Sequence, residues 1–153
     1  MVRAAALAVL MFAASPAIAI DPPTETEMAW LAEHAPKGFD VYPDGIWVSA
    51  GVDTENTSYG IRLKDLRASP GKGYQVTVWM RADYRQNVKR PYRTGKFRLT
   101  FDCAQDRYWR GAFVNYRADG SVHSEGSGSG VYGTQDIVPG SMAEQWAKLV
   151  CWH

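Results

Sequence analysis

The sequence has only two cysteines and three histidines in 153 residues, and each scarcity excludes something. His34, His123 and His153 stand in unrelated contexts, with no HExxH and no i, i+4 pair, so no histidine-based metal site is written in the chain. Cys103 and Cys151 form no CxxC, which argues against a thioredoxin-like redox centre, and no His or Cys stands at ligand spacing beside them. A G-x-S-x-G nucleophile elbow is absent. The run Gly128-Ser129-Gly130-Val131-Tyr132-Gly133 does match G-x-G-x-x-G, but Ile137-Val138-Pro139 follows it where a dinucleotide fold needs a helix. No cofactor, no metal and no catalytic set are therefore expected. Charge of one sign is also lacking: 17 Lys and Arg stand against 16 Asp and Glu, which gives no global reason to expect nucleic acid. No apolar run is long enough to cross a bilayer.

What is present begins at the N-terminus. Arg3, the apolar run Ala4 to Ala14 and the small-x-small site Ala17-Ile18-Ala19 read as a secretory signal peptide over residues 1–19, with a mature chain starting at Ile20. No Cys follows that site, so no lipid-attachment residue is expected. The expected locations are the periplasm, the medium or the cell surface. The remaining 134 residues suit one domain. In an oxidising compartment two cysteines have one intramolecular connectivity, closing a loop of about 50 residues worth roughly 4 kcal/mol on the chain-entropy model.

The pattern along that domain is mostly that of strands. Thr24 and Glu27 form a capping box before Met28, Leu31 and Ala32, predicting a short helix over 25–34 within an N-terminal extension, residues 20–45. Tyr42-Pro43-Asp44-Gly45 reads as a turn before a strand from Ile46 to Val52. Ser58 to Leu66 reads as a second strand or strand pair, ended by Ser69-Pro70-Gly71-Lys72-Gly73. Gln75 to Asp83 and Lys96 to Cys103 both alternate with period two. Arg107 to Tyr116 follows, then a hairpin turn at Ala118-Asp119-Gly120, a strand from Ser121 to Ser124 and a Gly/Ser loop from Glu125 to Gly133. Ser141 and Glu144 cap a last helix whose Ala143, Trp146, Ala147 and Val150 make one apolar stripe beside Cys151. The expected fold is α+β: a meander-like antiparallel sheet packed by a C-terminal helix, with one disulfide and a short N-terminal helix.

Charge is unevenly distributed. Asp21 to Asn56 holds eight acids and one base, whereas Arg81 to Arg117 holds ten bases and three acids. Aromatic residues interleave with those bases, which singles out Tyr84, Arg85, Arg90, Tyr92, Arg93, Tyr108, Trp109 and Arg110 as a candidate binding patch. Stacking faces among positive charges suit a polyanion or a wet, Arg-rich protein interface.

Several of these features occur together: the strand Gln75-Val76-Thr77-Val78-Trp79, a strand ending Asp102-Cys103, Pro139-Gly140-Ser141-Met142-Ala143-Glu144, and Cys151. In that order they resemble the surface-adhesin protein E family of Gram-negative bacteria, over a domain taken as residues 46–153. The resemblance implies an antiparallel sheet packed by the C-terminal helix and a Cys103–Cys151 bridge. It also implies an envelope protein, in some members an adhesin that binds host matrix proteins. The expected function is thus a non-enzymatic binding module of the envelope, meeting a protein or an anionic polymer of the envelope or the host matrix. A small periplasmic hydrolase, or a structural factor pairing edge strands into a homodimer, are the alternatives.

Overall fold

In the computed structural model the structure describes residues 23–34, 38–42, 44–68, 75–127 and 133–151. The signal-peptide reading, the Ser69–Gly73 break, most of the G-x-G-x-x-G match and His153 lie outside the described residues. The chain runs α1 (Glu25–His34), β1 (Phe39–Tyr42), β2 (Gly45–Val52), β3 (Ser58–Arg62), α2 (Leu63–Ala68), β4 (Gln75–Asp83), β5 (Thr94–Asp102), β6 (Arg107–Tyr116), β7 (Val122–Gly126), β8 (Thr134–Asp136) and α3 (Met142–Val150). The strands pair antiparallel in chain order from β1 to β7, as short connections favour, and β8 pairs with β6 beyond the end of β7.

One sheet face carries the core. Alternation places Val76, Val78, Met80 and Ala82 of β4 beside Phe97, Leu99 and Phe101 of β5, all nearly or fully buried. Val48 and Ala50 of β2 and Ile61 of β3 extend the same layer. Helix α3 lays Ala143, Trp146 and Val150 onto this face. Its start is fixed as the sequence implies, with Glu144 N donating to Ser141 Oγ at 3.2 Å, while the Glu144 carboxylate accepts from Gly140 N at 2.8 Å. A disulfide joins Cys103, just past β5, to Cys151 at the end of α3, with Cα atoms 5.5 Å apart. At the other end of the chain Thr24 and Glu27 form the reciprocal capping box of α1, which sends Leu31 into the core.

Three local expectations need correction. Ser58 to Leu66 is not a strand throughout: the strand stops at Arg62 and α2 follows. There Leu63 and Leu66, three apart, both enter the core, a helical spacing that a strand cannot satisfy on one face. Asp65 fixes that helix by accepting two bonds from Arg62, at 3.0 and 2.7 Å, and one from Trp79 N at 2.8 Å. The strand after the hairpin turn runs on to Gly126, past the Ser124 expected as its end. Two short strands, β1 and β8, have no counterpart in the sequence reading, and β1 brings Phe39–Tyr42 of the N-terminal extension into the sheet.

Candidate binding site

The connection from β4 to β5, residues 84–93, is a tip loop held from within. Tyr84 N donates to Arg93 O at 2.8 Å, Asn87 N to Tyr84 O at 2.9 Å, and Arg93 N to Tyr116 O at 2.8 Å. Asn87 is buried, and its Nδ2 donates to Thr57 Oγ1 at 3.0 Å and Glu55 Oε2 at 3.2 Å, tying the loop to the β2–β3 turn. Lys89 reaches the same Glu55 at 2.9 Å. These partners hold the Glu55 carboxyl below its ordinary range, Lys89 contributing most. Outward, the loop displays Val88 at 94 % exposure, flanked by exposed Arg85, Lys89, Arg90 and Arg93. Arg85 is paired with Asp83 at 2.5 Å, whereas the Arg93 side chain has no ion-pair partner among the described residues.

Behind the loop lies a pocket of about 330 Å³ on the core face of the sheet. Its floor is Phe97 and Leu99 of β5 with Arg110, Phe113 and Asn115 of β6. Trp146 of α3, with Tyr59, forms one wall, their rings 5.0 Å apart edge to face. Tyr84 and Tyr92, 4.8 Å apart, form another with Arg90, and Tyr108 and Gln135 close the end by β8. The Arg110 guanidinium lies 4.4 Å from the Phe97 ring centre and 5.9 Å from that of Phe113, a cation–π arrangement. Among the described residues no acidic side chain lines the pocket, and the Glu55 carboxylate stands 4.0 Å from the Arg90 guanidinium. Burial holds the Tyr84 and Tyr108 phenols above their ordinary values, so both remain protonated donors. The Trp146 indole Nε1 is buried with no hydrogen-bond partner among the described residues.

The eight residues singled out from sequence fall in three places. Tyr84, Arg90, Tyr92, Tyr108 and Arg110 line this pocket. Arg85 and Arg93 line a shallower recess of about 400 Å³ that they share with Arg117 of the β6–β7 turn. Trp109 is on the opposite sheet face, paired with Thr100 and lining a recess with Gln75 and Arg107. Tyr59, Phe97, Leu99, Phe113, Asn115, Gln135 and Trp146 complete the pocket, and sequence reasoning missed them as site residues. For Phe97 and Trp146 the core pattern absorbed the signal; for Phe113 the cause is a bulge. The β5–β6 register shifts between Phe97 and Leu99, so Arg110 and Phe113, three apart, share a face that strict alternation would deny them.

The opposite face carries its own cationic contacts. Arg81 stacks on Tyr42, 3.7 Å from the ring centre, and Lys96 pairs with Asp44, which also accepts from Trp47 Nε1 at 3.3 Å. Burial pushes the Asp44 carboxyl up, but Lys96 and Trp47 outweigh it and hold it below the usual range. Among the described residues no group of three or more His, Cys, Asp or Glu could hold a metal ion, and no helix is long and apolar enough to cross a membrane.

The fold is a meander sheet with a disulfide-tethered C-terminal helix, and aromatic rings interleaved with arginines line the pocket between them. The family model for surface-adhesin protein E matches residues 47–152, more than half of the chain, and the chain belongs to that family. Neither the curated proteins nor the solved structures contain a match to it.

Proposed function

We propose that this protein is an exported, non-enzymatic binding module of the cell envelope, and that the tip loop meets its partner, a protein or an anionic polymer of the envelope or host matrix. Residues 1–19 act as the export signal, 20–45 as an N-terminal helical extension, and 46–153 as the adhesin-type domain. The observation that carries this reading is the loop's rigidity. A loop whose buried Asn87 anchors it to Thr57 and Glu55 loses little freedom on binding, so its exposed Val88 and its cations are already arranged. Arg85, Lys89, Arg90, Arg93 and Arg117 converge at this end of the sheet, which favours encounter with negative surfaces.

The hydrolase reading has less support. Among the described residues each carboxylate with a resolved shift is held below its ordinary value, which suits ion pairs and turns rather than a protonated general acid. The test is solid-phase binding to immobilised matrix proteins. The Arg90→Glu/Arg93→Glu double variant is expected to bind at least about tenfold more weakly, and wild-type binding to fall as ionic strength rises toward ~0.5 M. Unchanged affinity in the double variant would remove the tip from the reading.

A further inference from the structure

We propose that the recess around Trp109, on the sheet face opposite the core, holds a ring of a neutral, extended β-linked glycan, with Trp79 carrying a second ring of the same chain. The proposal goes beyond the tip reading and uses none of its residues. The recess has a volume of about 450 Å³, and Gln75, Asp102, Gln105, Arg107, Trp109 and Thr134 line it. Its frame is fixed. Asp102 Oδ1 accepts from Ala104 N at 3.2 Å and from Gln105 N at 3.1 Å, which closes the β5–β6 turn, and the Cys103–Cys151 disulfide leaves from the same turn. Ile137 N donates to Asp106 O at 2.8 Å, and β8 pairs with Arg107 to Trp109, so the tryptophan stands inside the sheet, between Thr100 and Thr134. Such a frame loses little freedom when a ligand arrives.

The lining chooses the ligand. A half-buried indole among Gln, Asp and Arg side chains joins a flat apolar surface to planar hydrogen-bonding groups, and a pyranose ring has the matching C–H face and rim of hydroxyls. Charge selects further. The two charges that line the recess are of opposite sign, and Arg107 already pairs with Asp136 at 3.1 Å and donates to Gln105 Oε1 at 3.5 Å. An anion would have to compete with that pair, whereas a neutral ring leaves it intact. Hydrogen-bonding capacity remains: Asp102 Oδ2, the Gln105 amide nitrogen and the Gln75 amide bond to nothing among the described residues. A second platform lies on the same face. Trp79 stands two strands from Trp109 and one outward-facing residue along, about 12 Å away by strand spacing and rise. Gly111 keeps the ground low: a Cβ there would come within 3.0 Å of Arg98 Nε, so its absence lets the Arg98 side chain lie down across β6. A straight chain of sugar rings reaches both indoles, and a coiled one reaches only one.

The test is a calorimetric titration of the disulfide-intact protein with cellotetraose, a neutral extended β-linked chain, beside maltotetraose, its coiled α-linked isomer. Cellotetraose should bind saturably and at least about tenfold more tightly than maltotetraose. Its affinity should persist at ~0.5 M salt, because no free charge is engaged. The indole N–H signals of Trp109 and Trp79, assigned through Trp109→Phe and Trp79→Phe, should both move during the titration. Trp109→Ala should lower cellotetraose affinity about tenfold or more, as the loss of an aromatic anchor does. Should that variant not fold, Gln75→Ala and Gln105→Ala, both at exposed positions, read the same recess, and each should weaken binding about threefold. No saturation below ~10 mM, equal binding of maltotetraose, an unmoved Trp109 or Trp79 signal, or full affinity in the recess variants would each overturn the proposal. The Arg90→Glu/Arg93→Glu variant should bind cellotetraose as the wild type does, whatever it does to matrix binding. Loss of cellotetraose binding in that variant would move the glycan to the tip and overturn the recess.

Discussion

Asp53 shows how much one side chain can organise. Its Oδ1 accepts from Glu55 N and Thr57 N, both at 2.9 Å, and its Oδ2 accepts from the Tyr59 hydroxyl at 2.9 Å. The first two bonds close the β2–β3 turn, where Asn56 takes a left-handed conformation with φ of 60°. The third orients a ring that walls the pocket. Burial alone would raise the Asp53 carboxyl, but these donors outweigh it and hold it below its ordinary value. A carboxylate depressed in the folded state stabilises the protein above its unfolded pKa, and that contribution is lost as pH falls through the folded value. Asp53→Ala is therefore expected to cost about 2 kcal/mol near neutrality. Its Tm difference from wild type should narrow as pH drops below about 4. A gap that stays constant from neutral pH down to about 3 would show that the ionised carboxylate is not the stabilising species.

At the scale of elements, the decisive contact is between α3 and the sheet. The helix is nine residues long, too short to be stable by itself, so packing and its tether must hold it. The disulfide closes 48 residues of separation between β5 and the helix end, a constraint worth about 4 kcal/mol on the chain-entropy model. Reduction, or the Cys103→Ser/Cys151→Ser pair, should lower Tm by well over 10 °C. Equal melting of the oxidised and reduced protein would show that packing alone suffices. Gly51 marks how tightly the helix sits. Its φ is +111°, and a Cβ there would come within 3.0 Å of Gln145 Oε1 and Met142 Cε. This helix was legible in the sequence, because the Ser141/Glu144 box and the 143, 146, 147, 150 stripe are local signals. So were β4 and β6, whose bounds match the reading residue for residue. The short strands β1 and β8 were not, since their pairing partners, not their own patterns, make them strands. The basic, aromatic stretch was visible as composition, and alternation alone parts Trp109 from Tyr108 and Arg110, but the return of Phe113 to the pocket face depends on the β5–β6 bulge, which leaves no mark in the sequence.

At the scale of the molecule, the two candidate surfaces share a scaffold yet answer to different physics. The tip loop is exposed and its long-range charge is open to screening by salt, whereas the pocket is partly enclosed and its arginine is braced by rings. Matrix binding through the tip should therefore fall steeply with ionic strength. Both surfaces matter to adhesion only if they face outward from the cell. Intact producing cells treated with a protease, followed by immunoblot beside a periplasmic control, decide that. Loss of this protein while the control survives is the expected result for a surface-displayed adhesin. Protection until the outer membrane is permeabilised would place both surfaces inside the envelope. The partner would then have to be a component of the envelope, and matrix binding by the tip would be a property of the isolated protein alone.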